Sequence, residues 1–191
     1  MTSCTHHPFS PADSLPAAGS DAAAHLGSRA TLRTYPAKSL LLARGNVADT
    51  LYYVVRGCLR LFFLHDGKEL TFQFFTEGCF VASFVSFHRR LPSLFSLETI
   101  EPSDVLAIEK PDLDTLLEES PSVRKIYEEK LIDRLQAFQQ QFLAHISLTP
   151  QQRYEALLHE HPELVLRVPQ HYIASYLGIT PVSLSRIRKR H

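Results

Sequence analysis

At 191 residues the chain can hold one sizeable core or two small ones, and its ordinary apolar fraction lets it fold without staples. Three cysteines with no CxxC pair, no apolar run of bilayer length and no basic-then-apolar leader pattern at the start argue against a disulfide framework, a membrane protein or an exported one. Twenty basic residues balance twenty acidic ones, but residues 167–191 carry Arg167, Arg186, Arg188, Lys189 and Arg190 with no Asp or Glu, leaving 15 basic against 20 acidic before them. The expectation is a soluble, cytoplasmic protein with no membrane partner and a basic terminal segment. Such a segment suits nucleic acid or an anionic surface, the alternative being a solubilising tail.

Residues 1–28 are rich in Ala, Ser, Pro and Thr and have little periodicity, so they read as a flexible tail. Cys4, His6 and His7 are too few and too loosely placed to make a metal site, and no metal or cofactor is expected. Residues 29–120 break into short β-rich runs bounded by turn signals: "LYYVV", "LRLFFL", "HDGK", "LTFQFF", "FVASFVSF", "SLFSLETI", "DVLAIE". Strands at this spacing predict a β-sandwich or roll. Asp66-Gly67 reads as a tight hairpin, with Leu70, Phe72 and Phe74 expected on one buried face opposite Thr71 and Gln73. Nine of the twelve phenylalanines lie between Phe62 and Phe95; they make either plain core or the lining of an effector pocket.

Ser120-Pro121 starts a helix expected to run to about residue 146. Along it Leu131, Leu135, Phe138 and Phe142 step by 4, 3 and 4, the spacing of a packing seam, and flanking Ile132, Leu143 and Ile146 widen the stripe. The predicted outcome is a homodimer joined through residues 121–146. Thr149-Pro150-Gln151-Gln152 then opens a capped helix over about 150–160, with Leu157 and Leu158 expected inward, and begins a second domain over residues 147–191.

Within "HYIASYLGITPVSLSRIRKRH" Ala174, Gly178, Leu184 and Ile187 fill the positions of a helix-turn-helix: a small residue where the helices cross, a left-handed glycine in the turn, and branched apolar residues on the second helix's inner face. Thr180 as cap and Pro181 at the first helical position open that second helix. Val182, Ser183, Ser185, Arg186 and Lys189 then point away from the inner face. The candidate DNA-contacting residues are Gln170, Thr180, Val182, Ser183, Ser185, Arg186, Arg188, Lys189 and Arg190. Arg186 is the base-reading candidate, and Arg188, Lys189 and Arg190 are phosphate contacts.

This order of parts, carried by "LLLARGNVADTLYYVVRGCLRLFFLHDGKEL" and "IASYLGITPVSLSRIRK", resembles the Crp/Fnr superfamily of bacterial transcription regulators. The resemblance implies an α+β fold: a β-roll of the cyclic-nucleotide-binding type, a dimerisation helix and a C-terminal helix-turn-helix. It also implies double-stranded DNA and RNA polymerase as partners, and no enzymatic activity. Family members that bind cyclic nucleotides use a Gly-Glu pair followed by Arg-Ser or Arg-Thr; "FVASFVSFHRRLPSLFS" aligns Ala82 and Ser83 with the first pair and Ser93 and Leu94 with the second. With neither carboxylate nor guanidinium present, cyclic AMP is not expected to bind, although Arg89 and Arg90 lie in the cassette's loop.

The expected effector, unidentified, is apolar or aromatic, in a pocket of Phe74, Ala82, Ser83, Phe84, Ser93 and Leu94. The sequence stops at His191, before the wing hairpin usual after the family's recognition helix, so either the domain is minimal or the chain is cut there, and Val182 stands where relatives often carry an acid. Two rival readings are a ligand-binding module that regulates another protein without touching DNA, and a cupin-type metal enzyme. The second needs a histidine pair and a carboxylate converging on one metal, whereas the strands offer only His65 and His88.

Overall fold

The computed structural model describes residues 29–189; the tail expected over residues 1–28, Cys4, His6 and His7 with it, and the terminal pair that includes Arg190 lie outside the described residues. Among the described residues there are eight strands: β1 (Thr31–Tyr35) and β2 (Leu40–Leu42), which lie outside the marked runs, and β3 (Thr50–Arg56), β4 (Leu59–His65), β5 (Lys68–Phe75), β6 (Phe80–Val81), β7 (Ser96–Thr99) and β8 (Ser103–Glu109), which match them. They form two antiparallel four-stranded sheets, ordered β1-β8-β3-β6 and β2-β7-β4-β5. Val54, Leu59, Leu61, Phe75, Val81, Leu97 and Val105 fill the space between them, which is the roll's main driving force. Asp66 and Gly67 both have positive φ, +50° and +72°, as a two-residue hairpin turn between right-twisted strands requires.

Gly57, between β3 and β4, is held by a closer constraint. Its φ is +111°, and a Cβ there would lie 2.2 Å from Ser103 Oγ and 2.8 Å from Ser103 Cα. Backbone strain and a backbone clash act together, so Gly57→Ala is expected to destabilise the protein by more than ~1 kcal/mol. A denaturant midpoint equal to that of the parent protein would refute this.

The anticipated alternation along β5 is not what forms. Thr71 is buried along with Phe74 and Phe75, while Leu70 and Phe72 are half-buried. Leu61 pairs with Gln73 and Phe62 with Thr71, so Phe72 is the extra residue of a bulge. The deeper cause is that both faces of β5 are covered, one by the opposing sheet and the other by the C-terminal helices.

A short helix α1 (Phe84–Arg89) sits in the cassette region, and α2 (Lys110–Glu119) packs Leu113 against Leu51, Phe87 and Ile108 of the roll. Helix α3 (Pro121–Ser147) then runs 27 residues, about 40 Å at 1.5 Å per residue. Its cap is the expected one, with Ser120 Oγ accepting from the Val123 amide.

Four helices follow: α4 (Pro150–Glu160), α5 (Pro162–Arg167), α6 (Gln170–Tyr176) and α7 (Pro181–Arg188). The α4 capping box forms in both directions between Thr149 and Gln152. Leu157 is buried as anticipated, but Leu158 is exposed, because a neighbouring position lies about 100° away around the helix. These helices do not hang free of the roll: Cys58, Phe74 and Ile100 share one buried cluster with Tyr154, Leu157, Leu164, Ile173 and Leu177.

Candidate nucleic-acid interface and sensor cassette

The C-terminal motif assembles from local chemistry. At the end of α6 the Ile179 amide donates to the Ala174 carbonyl (2.9 Å) and the Gly178 amide to that of Ser175 (3.0 Å), a pattern that needs a left-handed residue at position 178. Gly178 supplies it with φ +68°. Ala174 is fully buried where α7 crosses α6, and Leu184 seals the crossing from the α7 side. Thr180 caps α7 by accepting from the Ser183 amide at 3.2 Å. Arg153, which the sequence alone did not single out, closes the motif from behind: its guanidinium donates to the carbonyls of Leu177 (3.1 Å) and Leu148 (2.8 Å), satisfying helix ends that would otherwise be orphaned.

Of the candidate DNA contacts, Gln170, Thr180, Val182, Ser185, Arg186, Arg188 and Lys189 are exposed and Ser183 is half-buried. Arg186, Arg188 and Lys189 cluster on the last turns of α7, with no acidic side chain on that helix. The result is a short helix with a basic, solvent-facing side and an apolar inner side, capped and braced at its N-terminal end.

In the cassette the predicted pocket residues do not surround one cavity. Phe74 is 5% exposed and packs against Tyr176, 5.1 Å between ring centroids, so it faces the C-terminal helices. Leu94 is 69% exposed and points to solvent. Phe84 lies under the Arg134 guanidinium, 4.5 Å from its ring centroid. Only Ala82 and Ser83 line the cleft where a nucleotide would sit, and that cleft measures about 10 Å³, room for one water.

Serines close it. Ser83 and Ser93 are both buried and hydrogen-bonded to each other at 2.8 Å, and the Ser93 hydroxyl also donates to the Phe95 carbonyl at 2.7 Å. Of the two loop arginines, Arg89 is exposed, while Arg90 donates to the Ala48 carbonyl at 2.7 Å. No group of three metal-ligating side chains occurs among the described residues.

Residues 32–120 match the cyclic nucleotide-binding domain family, the segment that forms the two sheets, α1 and α2. The cAMP-activated global transcriptional regulator CRP of Pasteurella multocida is 26% identical over 106 residues, 55% of this chain and 51% of that protein; the chain spans about half the length of this curated relative. FixK2 from Bradyrhizobium japonicum superposes with a TM-score of 0.73 at 20% identity, covering 84% of this chain and 83% of that one. Residues 32–120 therefore form a cyclic nucleotide-binding domain, and the chain is similar to Crp-type regulators beyond it. A further structure with this fold is the c-di-GMP responsive global regulator CLP of Xanthomonas campestris, at a TM-score of 0.69 and 21% identity over 85% of this chain and 86% of that one.

On this frame the long helix carries an exposed apolar face that overlaps the expected seam. Leu131 is half-buried against its own chain, and Phe138 leans on Phe72 of the roll at 5.8 Å while remaining partly exposed. Ile132 (64% exposed), Leu135 (54%), Phe142, Leu143 and Ile146 form the outward stripe. In the single chain Ile132 is thus more exposed than Leu131 at the N-terminal end of the face. The reason is that the roll claims the Leu131 and Arg134 side of α3, where Arg134 covers the Phe75 and Phe84 rings.

Sequence reasoning also missed the polar ties between the roll and the C-terminal helices. The guanidinium of Arg60, fully buried, is sandwiched between the rings of Phe62 (4.1 Å) and Tyr172 (3.6 Å) and pairs with Glu69 and Glu98. Arg167 bridges Glu77 and Glu101 of the roll. Burial alone would raise the Glu77 pKa, but its hydrogen bonds from Arg167 and the Gly57 amide outweigh that and hold it below the ordinary carboxylate value. Ser175 Oγ accepts from the Thr71 amide at 2.8 Å.

Proposed function

We propose that the chain is a homodimeric, sequence-specific DNA-binding transcription regulator whose β-roll senses something other than cyclic AMP. The carrying observation is the geometry of α6 and α7: a helix with a basic exposed face, capped by Thr180 and braced by Ala174, Leu184 and Arg153, is built to enter a major groove. Its relatives' regulatory role supports the reading. The setting is the cytoplasm, where RNA polymerase is the further partner. That no helix among the described residues is long and apolar enough to cross a membrane agrees with this setting. Residues 29–120 act as the sensor, 121–146 as the dimerisation element and 147–191 as the DNA reader.

Selection of fragments from a genomic pool tests DNA binding directly, and the expected site is an inverted repeat with half-site centres about 10 base pairs apart or a multiple of that. On the selected site, Arg186→Ala is expected to lose about 1–3 kcal/mol and to relax the choice of base at one position per half-site. Lys189→Ala is expected to weaken all sequences alike and to lower the slope of log affinity against log salt by about one per contact removed. If the pool yields no enriched site, or if both variants bind like the parent, the basic face is a solvated surface and the reading fails.

Cyclic AMP is not expected to bind in the cassette. The small cleft there, about 10 Å³, supports this reading, and a buried phosphate facing the Ser83–Ser93 pair would lack a cation. Calorimetric titration with cyclic AMP is expected to give no saturable heat; a micromolar or tighter isotherm would refute it.

A further inference from the structure

The exposed side of α7 is not uniformly basic. Val182, Ser185, Arg186 and Lys189 follow one another at the spacing of a single helix face, opposite buried Leu184, and all four are exposed. Only the first of them is apolar. Val182, 61% exposed, stands at the N-terminal end, the end whose residues meet base edges when such a helix lies in a major groove. The rest of the first turn has little left with which to read a base. Thr180 Oγ1 accepts from the Ser183 amide at 3.2 Å and lies 3.0 Å from Ser183 Oγ, which ties both hydroxyls to the cap. Pro181 has no N–H to give. No acidic side chain occurs in this turn to accept from the amino group of cytosine, and the arginines of the helix come only in its last turn.

We infer that Val182 reads the C5-methyl group of a pyrimidine, with thymine as the base that carries it. The inference rests on the reading of α7 as a helix that enters the major groove, and it names the base that this end of the helix selects. The one apolar group among the base edges in the major groove is the thymine methyl; the others are hydrogen-bond donors and acceptors. An isopropyl group gains by covering that methyl and loses by covering a donor or acceptor that it cannot pair. Helix geometry places the thymine. Four residues of helix rise about 6 Å, and base pairs stack about 3.4 Å apart, so the T·A pair lies within about two base pairs of the pair assigned to Arg186. The two side chains then divide the half-site, one by hydrogen bonding and the other by apolar contact.

The test uses the full chain on the site selected from the genomic pool. Thymine at this position is replaced by uracil, which differs only in lacking the methyl, and the two affinities are compared by fluorescence anisotropy at one salt concentration. Burial of one methyl-sized group is worth about a factor of four, so the parent is expected to bind about fourfold more weakly for each half-site substituted. Val182→Ala should bind the thymine and uracil sites within about twofold of one another, because the side chain that tells them apart is gone. Val182 is exposed and alanine favours helix, so this variant should unfold like the parent. Equal binding of the two sites by the parent overturns the contact, as does a preference for thymine that survives in Val182→Ala; either result leaves the DNA-binding reading standing. A selected site with cytosine at this position, bound more tightly once that cytosine is methylated at C5, overturns thymine in favour of 5-methylcytosine. A pool with no enriched site overturns this inference and the DNA-binding reading together.

Discussion

Arg60→Ala is expected to cost about 3 kcal/mol of folding stability, the lower end of the range for breaking a buried ion pair. The guanidinium is fully buried, yet its partners are not equally so: the Glu98 side chain is 13% exposed and that of Glu69 45%. Removing the arginine strands Glu98 in a poorly solvated place, whereas Glu69 can turn to water, which keeps the expected loss from the upper end. The rings of Phe62 and Tyr172, now about 4 Å from the guanidinium on either side, would lose their common filling as well. Arg60→Lys should fall between the two proteins, because an ammonium keeps the charge but cannot stack as a plane. Adding Glu98→Gln to Arg60→Ala should recover part of the loss, and a double-mutant cycle in denaturant gives the coupling. Full additivity of the two substitutions would show that the pair does not act as a unit. Because Tyr172 lies on α6, amide exchange in α6 should also quicken more than in the far sheet.

That sandwich explains where the sequence is legible and where it is not. The Asp66-Gly67 hairpin, the Ser120 and Thr149 caps and the Ala174–Gly178–Thr180 turn are each decided by residues within a few positions of one another, so spacing is enough to read them. The loss of the cassette's two charged groups, with Ser83 and Ser93 in their places, was legible too, but the closure was not: spacing suggested an effector pocket where the two serines bond to each other. Arg60 was not. It occupies an ordinary polar position in a strand, and only the fold brings Tyr172 over it. The same cause moved Phe74 out of the predicted pocket and buried Thr71: a second covering layer on β5 changes which side of the strand counts as inside.

That Ile132 is more exposed than Leu131 is a one-residue difference with a physical consequence for the dimer. Consecutive helix positions are separated by about 100°, and spacing alone cannot say which of two adjacent apolar rows faces the chain's own roll. Leu135 belongs to the outward row on either assignment, and it sits mid-helix with 54% of its surface exposed in the single chain. Leu135→Arg is therefore expected to leave the protomer's own fold within about 0.5 kcal/mol of the parent, as surface substitutions usually do. In the proposed symmetric dimer residue 135 of each chain lies in the shared seam, so the substitution would bury two like charges without partners. A loss on the order of 3–5 kcal/mol raises the dimer dissociation constant by two to nearly four powers of ten.

Sedimentation at micromolar concentration should give a dimer for the parent chain and a monomer for the variant, with closely similar unfolding curves when both are measured under monomer-forming dilution. DNA affinity should fall far more than for any single change on α7, because a monomer engages one half-site where the dimer engages two. A monomeric mass for the parent would remove the dimer from the proposal, and the apolar row of α3 would then need another cover.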